Sequence, residues 1–173
     1  RLLDSISVER LIVVGITGAV DGITPLGTLV VPEVVVNSAT GTEYRPAPLG
    51  DPEPHGTMWT TDVLLTAADE LAELRDRGVV SLDMETAAVA EVCEAHGTPW
   101  SVFRAISDRA TDGSVDEEVF GLSHQDGTPN GSAIVRFFIK HPGRIPGMVR
   151  MGRAAKLATE TAADAAISAC SRM

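Results

Sequence analysis

A chain of 173 residues, 44% hydrophobic and only 22% charged, suits one folded domain with a sizeable core and excludes a disordered segment. Its formal net charge of −10 argues against general nucleic-acid binding, which needs clustered Lys and Arg to neutralise phosphates. Cys93 and Cys170 both fall in helical patterns and build no disulfide framework. No spacing of His, Cys and acids suggests a metal, no segment reads as a signal peptide, and no apolar run is long enough to span a bilayer. A cytoplasmic protein is expected, with no cofactor, no nucleic-acid partner and no membrane association. No internal repeat or linker divides it, so residues 1–173 are read as a single domain.

Taken in chain order, residues 11–14 form a short apolar run that predicts a buried strand entering a glycine turn at 15–19. The β-branched runs 26–31 and 33–36 are separated by Pro32, which predicts two strands or one broken at an edge. Thr40-Gly41-Thr42 reads as a turn, and residues 46–56, rich in Pro, Gly and acid, as a surface loop. Residues 61–66 read as a strand, and 67–77 as an amphipathic helix closed by Gly78.

The next stretch is the most informative. Residues 79–82 predict a strand, 85–96 a helix stopped by Gly97, and 100–106 a second strand. Strand, helix and strand of these lengths predict a βαβ unit with parallel strands and a right-handed crossover. Beyond Ser107 the chain is polar up to Asn130, and helices are expected at 132–139 and 146–169, with Pro142 and Pro146 marking the join. From Gly131 onward Arg136, Lys140, Arg144, Arg150, Arg153, Lys156 and Arg172 outnumber Glu160 and Asp164. A solvated helix face is the plain explanation, and an anionic surface or partner the other.

Both strands of the βαβ unit end in acids, Asp83-Met84-Glu85 and Ser107-Asp108. In parallel strands those ends share one edge of the sheet, where open α/β sheets bind ligands. Each acid also has a plainer use as a helix cap or turn former. Two acids on one crevice are compatible with cleavage of an N-glycosidic bond. One ionised carboxylate can hold ribose hydroxyls and stabilise an oxocarbenium-like state, and the other, protonated, can hand a proton to the departing base. The pair does not single out that reaction.

The motif Leu82-Asp83-Met84-Glu85-Thr86-Ala87-Ala88-Val89-Ala90, followed by Val102-Phe103-Arg104-Ala105-Ile106-Ser107-Asp108, resembles the paired signatures of one superfamily. That superfamily comprises the purine nucleoside phosphorylases, uridine phosphorylases and methylthioadenosine/adenosylhomocysteine nucleosidases. Upstream, Val14-Gly15-Ile16-Thr17-Gly18-Ala19 and Gly27-Thr28-Leu29-Val30-Val31-Pro32 resemble its glycine turn and following strands. The resemblance implies a three-layer α/β/α phosphorylase/hydrolase-like fold around a mostly parallel twisted sheet. It further implies that Glu85 holds the ribose 2′ and 3′ hydroxyls, that Met84 packs under the sugar, and that Asp108 is the general acid toward N7 of a purine. Ser107 stands beside that acid, Thr17 and Gly18 line the pocket, and Arg104 and Asp83 play supporting roles. A homo-oligomer is implied as well.

The chain departs from the family pattern in two places. The family's opening strand and turn, which bring the residues that handle phosphate or water, match nothing here, and the chain is expected to be N-terminally incomplete. Ile16 stands where the family often has a hydroxyl residue, and Val13 and Val14 where the hexameric bacterial phosphorylases have an Arg nearby. An apolar wall cannot clamp a phosphate dianion. Cleavage of a purine nucleoside by water is therefore preferred, phosphorolysis with phosphate as co-substrate is the alternative, and a non-catalytic nucleoside-binding relative is a third reading. His55, His96, His124 and His141 share no motif and read as loop or helix-end residues, and Trp59 reads as packing.

Overall fold

The computed structural model describes residues 2–112 and 130–172. In chain order these form α1 (Leu2–Ser5), β1 (Leu11–Ala19), β2 (Leu29–Val30), β3 (Val34–Asn37), β4 (Glu43–Tyr44) and β5 (Thr57–Thr60). Then come α2 (Ala68–Asp76), β6 (Val79–Asp83), α3 (Thr86–Ala95), β7 (Trp100–Arg109), α4 (Gly131–Lys140) and α5 (Ile145–Cys170). Among the described residues the strands make one mixed sheet in the order β2-β7-β1-β6-β5-β3-β4.

β7 explains the layering. Its apolar run alternates between two covered faces: Val102 and Ile106 pack with Ala87, Ala90 and Cys93 of α3. Phe103 and Ala105 point the other way, onto Ala166 and Ala169 and onto Ala158 and Ala162 of α5. A strand buried on both sides loses polar alternation, which is why it reads as a mostly apolar stretch in which only Ser101 and Arg104 are polar before Ser107. Helix, sheet and helix are the three expected layers. The long α5 lies close to the sheet because its inner row is alanine at every fourth position, Ala154, Ala158, Ala162 and Ala166.

Three expectations need correction. The glycine motif is not a turn: β1 runs straight through it to Ala19, with a bulge between Thr17 and Gly18. Residues 61–66 are not a strand. The strand is β5, just before them, where Met58 and Thr60 are buried and the register runs parallel to β6. The chain leaves the sheet after Thr60 because the Thr61 hydroxyl accepts the Val63 amide at 3.3 Å, a local turn that competes with the ladder.

The third correction concerns strand direction. β6 and β7 are not parallel neighbours, because β1 lies between them. β1 is parallel to β7 along its whole length, from Leu11 opposite Trp100 to Ala19 opposite Arg109. It meets β6 antiparallel, and only at Gly18–Leu82 and Ala19–Ser81. The bulge bends the end of β1 and lets it pair on both sides at once. The tip of β6 thus reaches the end of β7 by crossing β1, not by sharing an edge with a parallel neighbour. The stretch 108–130 lies mostly outside the described residues, His124 included.

The alanine row sets a clear expectation for stability. Ala162→Leu adds volume to a fully buried site and should cost about 1–3 kcal/mol in chemical denaturation. Ile167→Ala, on the exposed side of the same helix, should change stability by no more than about 0.5 kcal/mol.

Candidate active site

Gly18 is the geometric centre of the site, because it pairs with Leu82 on one side and Asp108 on the other. A Cβ at Gly18 would sit 3.2 Å from Asp108 Oδ2, so the missing side chain is what lets this carboxylate lie over β1. Ser107 donates to Asp108 Oδ1 at 2.5 Å and lies 3.5 Å from the Thr17 carbonyl. The Thr17 hydroxyl donates to the Leu82 carbonyl at 2.7 Å, which clamps β1 to the tip of β6. Its proton is spent on the backbone, and Thr17 itself is buried.

The acids of the β6 tip divide into two roles. Asp83 is buried and holds the first residue of α3 from two positions before the N-cap: Oδ2 accepts the Thr86 amide at 3.0 Å and the Thr86 hydroxyl. Oδ1 accepts the Thr60 hydroxyl at 2.6 Å, and that hydroxyl in turn accepts the Ala87 amide at 3.1 Å. Glu85 stands at the N-cap of α3 and makes no capping hydrogen bond. Its side chain is 67% exposed against 2% for Asp83, and it is the one of the two free to meet a ligand.

Arg104 joins them. Its Nη2 donates to Asp83 Oδ2 at 2.8 Å, to Thr86 Oγ1 at 3.0 Å and to Glu85 Oε2 at 3.3 Å. Nη1 donates to the Ile16 carbonyl at 3.2 Å. The guanidinium passes directly over Gly15, where a Cβ would lie 2.6 Å from Nη1. The glycine motif is therefore a strand that yields space twice, at Gly15 for Arg104 and at Gly18 for Asp108. The motif had suggested a turn, and its real use becomes visible only with the partner strands in place.

All six residues singled out from the sequence, Asp108, Glu85, Met84, Ser107, Thr17 and Gly18, line one cavity of about 670 Å³. That volume falls within the roughly 300–1,000 Å³ usual for small-molecule sites. Ile16 of β1 forms the apolar wall expected of it, and sequence reasoning missed the rest of that wall, Val63, Leu64 and Leu65 after β5. The run Asp62-Val63-Leu64-Leu65 carried a signal, but strand patterning gave it the wrong meaning. Thr159 of α5 also reaches the cavity. Trp59 does not: it packs in the cluster around Leu71, with the Arg77 guanidinium 4.6 Å above its ring.

Arg109 extends the site toward the loop after β1, donating from Nε to the Thr24 carbonyl at 2.9 Å. That loop is shaped by Asp21, which accepts the amides of Ile23 and Thr24 and the Thr24 hydroxyl. Burial pushes the Asp21 carboxyl up, but these hydrogen bonds and the charge of Arg109 outweigh it and hold it below its ordinary value. Among the described residues no group of three or more His, Cys, Asp or Glu could hold a metal ion.

Comparison with known proteins gives four matches. Residues 51–140, just over half of the chain, match the phosphorylase superfamily. A segment of 57 residues is 40% identical to the 5′-methylthioadenosine/S-adenosylhomocysteine nucleosidase of Bacillus pumilus, covering 32% of this chain and 25% of that protein. The fold is similar to the nucleosidase of the same name from Neisseria meningitidis, solved with methylthio-immucillin-A, at a TM-score of 0.67 and 15% identity. That likeness covers 99% of this chain and 73% of the other. Futalosine hydrolase of Helicobacter pylori is similar at a TM-score of 0.65 and 14% identity, over 96% and 69% of the two chains. At these identities the two solved structures establish a likeness of fold.

The buried ion pair makes a measurable claim. Arg104→Met leaves Asp83 charged and without its cation, and should cost about 3–5 kcal/mol in denaturant unfolding. Adding Asp83→Asn to that variant should recover part of the loss, and a double-mutant cycle reads the coupling. Strict additivity would contradict the arrangement.

Proposed function

The chain belongs to the phosphorylase superfamily, and on that premise we propose that it cleaves the N-glycosidic bond of a purine nucleoside, with water as the acceptor. The observation that carries the reading is that Glu85, at the start of α3, and Asp108, of β7, line one cavity together with Met84, Ser107, Thr17 and Gly18. The similarity to methylthioadenosine/S-adenosylhomocysteine nucleosidases and to a futalosine hydrolase supports the choice of reaction.

Glu85 acts as the ribose-binding carboxylate. It is exposed to the cavity and steadied by Arg104, so its oxygens accept the 2′ and 3′ hydroxyls while its charge faces the cation developing at C1′. Met84 provides the apolar surface beneath the sugar. Asp108, in its protonated form, donates to N7 of the base as the C1′–N9 bond breaks. Ser107 occupies Oδ1, which leaves Oδ2, the oxygen beside Gly18, to carry the proton. Water adds to C1′, giving free ribose and free base, and its second proton restores Asp108. The purine specificity rests on this acid, since a pyrimidine base has no N7. The apolar wall at Ile16 supports water over phosphate, because a dianion would need N–H donors or cations there.

Two measurements test the proposal. Asp108→Asn should lower release of adenine from adenosine-type nucleosides by about 10²–10⁴-fold while calorimetric binding persists. Undiminished turnover in that variant would refute the role of Asp108. Release that requires added phosphate would assign phosphorolysis, and binding without release under either condition would make the protein a nucleoside binder.

A further inference from the structure

The C-terminal helices carry a charge pattern opposite to that of the whole chain. Between residues 130 and 159 there are six cations, Arg136, Lys140, Arg144, Arg150, Arg153 and Lys156, and no Asp or Glu at all, in a protein of net charge −10. The sequence alone allowed a solvated helix face. The structure adds where the apolar side chains of this segment go.

α4 buries Phe137 and leaves Ile139 77% exposed, beside Arg136 and Lys140, which are exposed as well. In α5 the alanine row from Ala154 onward faces the sheet, so the opposite side of its first turns is set by helical geometry. That outer side presents Ile145 and Val149, 41% and 49% exposed, with Arg150, Arg153 and Lys156 around and beyond them. The pattern ends at Glu160, and the outer face further along carries Asp164. Branched apolar side chains set among cations, with no acid between, match a helix that lies on a membrane surface. Among the described residues no helix is long and apolar enough to cross a membrane.

We propose that α4 and the first half of α5 dock onto the surface of an anionic lipid bilayer, with Ile139, Ile145 and Val149 entering the headgroup layer and the surrounding Arg and Lys meeting lipid phosphates. A second copy of the chain is a poorer occupant. In a two-fold interface the patch would face itself, cation against cation. The surface is independent of the reaction: neither the acids of the cavity nor Arg104 belongs to it.

Flotation of the full chain with vesicles tests the assignment. Vesicles of equal parts phosphatidylcholine and phosphatidylglycerol should bind it about tenfold or more tightly than phosphatidylcholine alone, with the difference shrinking at high salt. Arg150→Glu with Arg153→Glu should remove the preference for anionic vesicles. Ile145→Ser with Val149→Ser should weaken binding with the charges intact, and both variants should keep the parent melting temperature. Equal binding to both vesicle types, or binding that neither variant changes, would overturn the proposal. So would self-association in light scattering that Ile145→Ser with Val149→Ser abolishes while no vesicle binds.

Discussion

The buried pair of Asp83 and Arg104 holds the site together. Taking both charges out of water is costly, and that cost is offset by hydrogen bonds to both carboxylate oxygens and from both Nη groups, with only the buried Arg104 Nε left without a partner among the described residues. The Thr60 hydroxyl and the Thr86 hydroxyl and amide donate to the carboxylate, and the Ile16 carbonyl and Thr86 hydroxyl accept from the guanidinium's Nη groups. Strands β1, β5, β6 and β7 and helix α3 are thereby fixed to one point. Glu85 inherits its position from that point: it is the exposed carboxylate on a fork whose other contacts are buried.

The second constraint is steric. β1 must pass between the acid of β7 and the tip of β6, and it can do so because Gly15 and Gly18 have no side chain in the way. A substitution at either position would act on a partner strand, not on the conformation of β1 itself. The bulge between them turns the end of β1 enough to pair on both sides. Two carboxylates more than twenty residues apart in sequence are brought to one cavity by a strand that belongs to neither.

The sequence made the helices beyond the short α1 legible because their signals are local. Gly78 and Gly97, both at positive φ, end α2 and α3 where expected, and the alanine spacing of α5 marks its buried side. β7 was legible from its mostly apolar run, Trp100–Ile106, broken only by Ser101 and Arg104. The candidate residues stood out because Asp83-Met84-Glu85 and Ser107-Asp108 fall at strand ends, and the structure brings them to one cavity. What the sequence could not convey was pairing. Nothing local in β1 announces that it separates β6 from β7, or that a glycine motif serves as a strand under an arginine. Residues 61–66 misled for a related reason: their apolar side chains line a cavity, and a cavity wall has the same composition as a strand.

Helix α5 runs from its basic first turns to the cavity, whose lining it reaches at Thr159. The central claim is that Glu85 and Asp108 address opposite parts of one purine nucleoside. A crystal structure of the chain with a non-cleavable purine nucleoside analogue tests it most directly. The account predicts both ribose hydroxyls on Glu85 and the N7 position of the base within hydrogen-bond reach of Asp108 Oδ2. An analogue bound with its ribose against Asp108, or outside this cavity altogether, would contradict it.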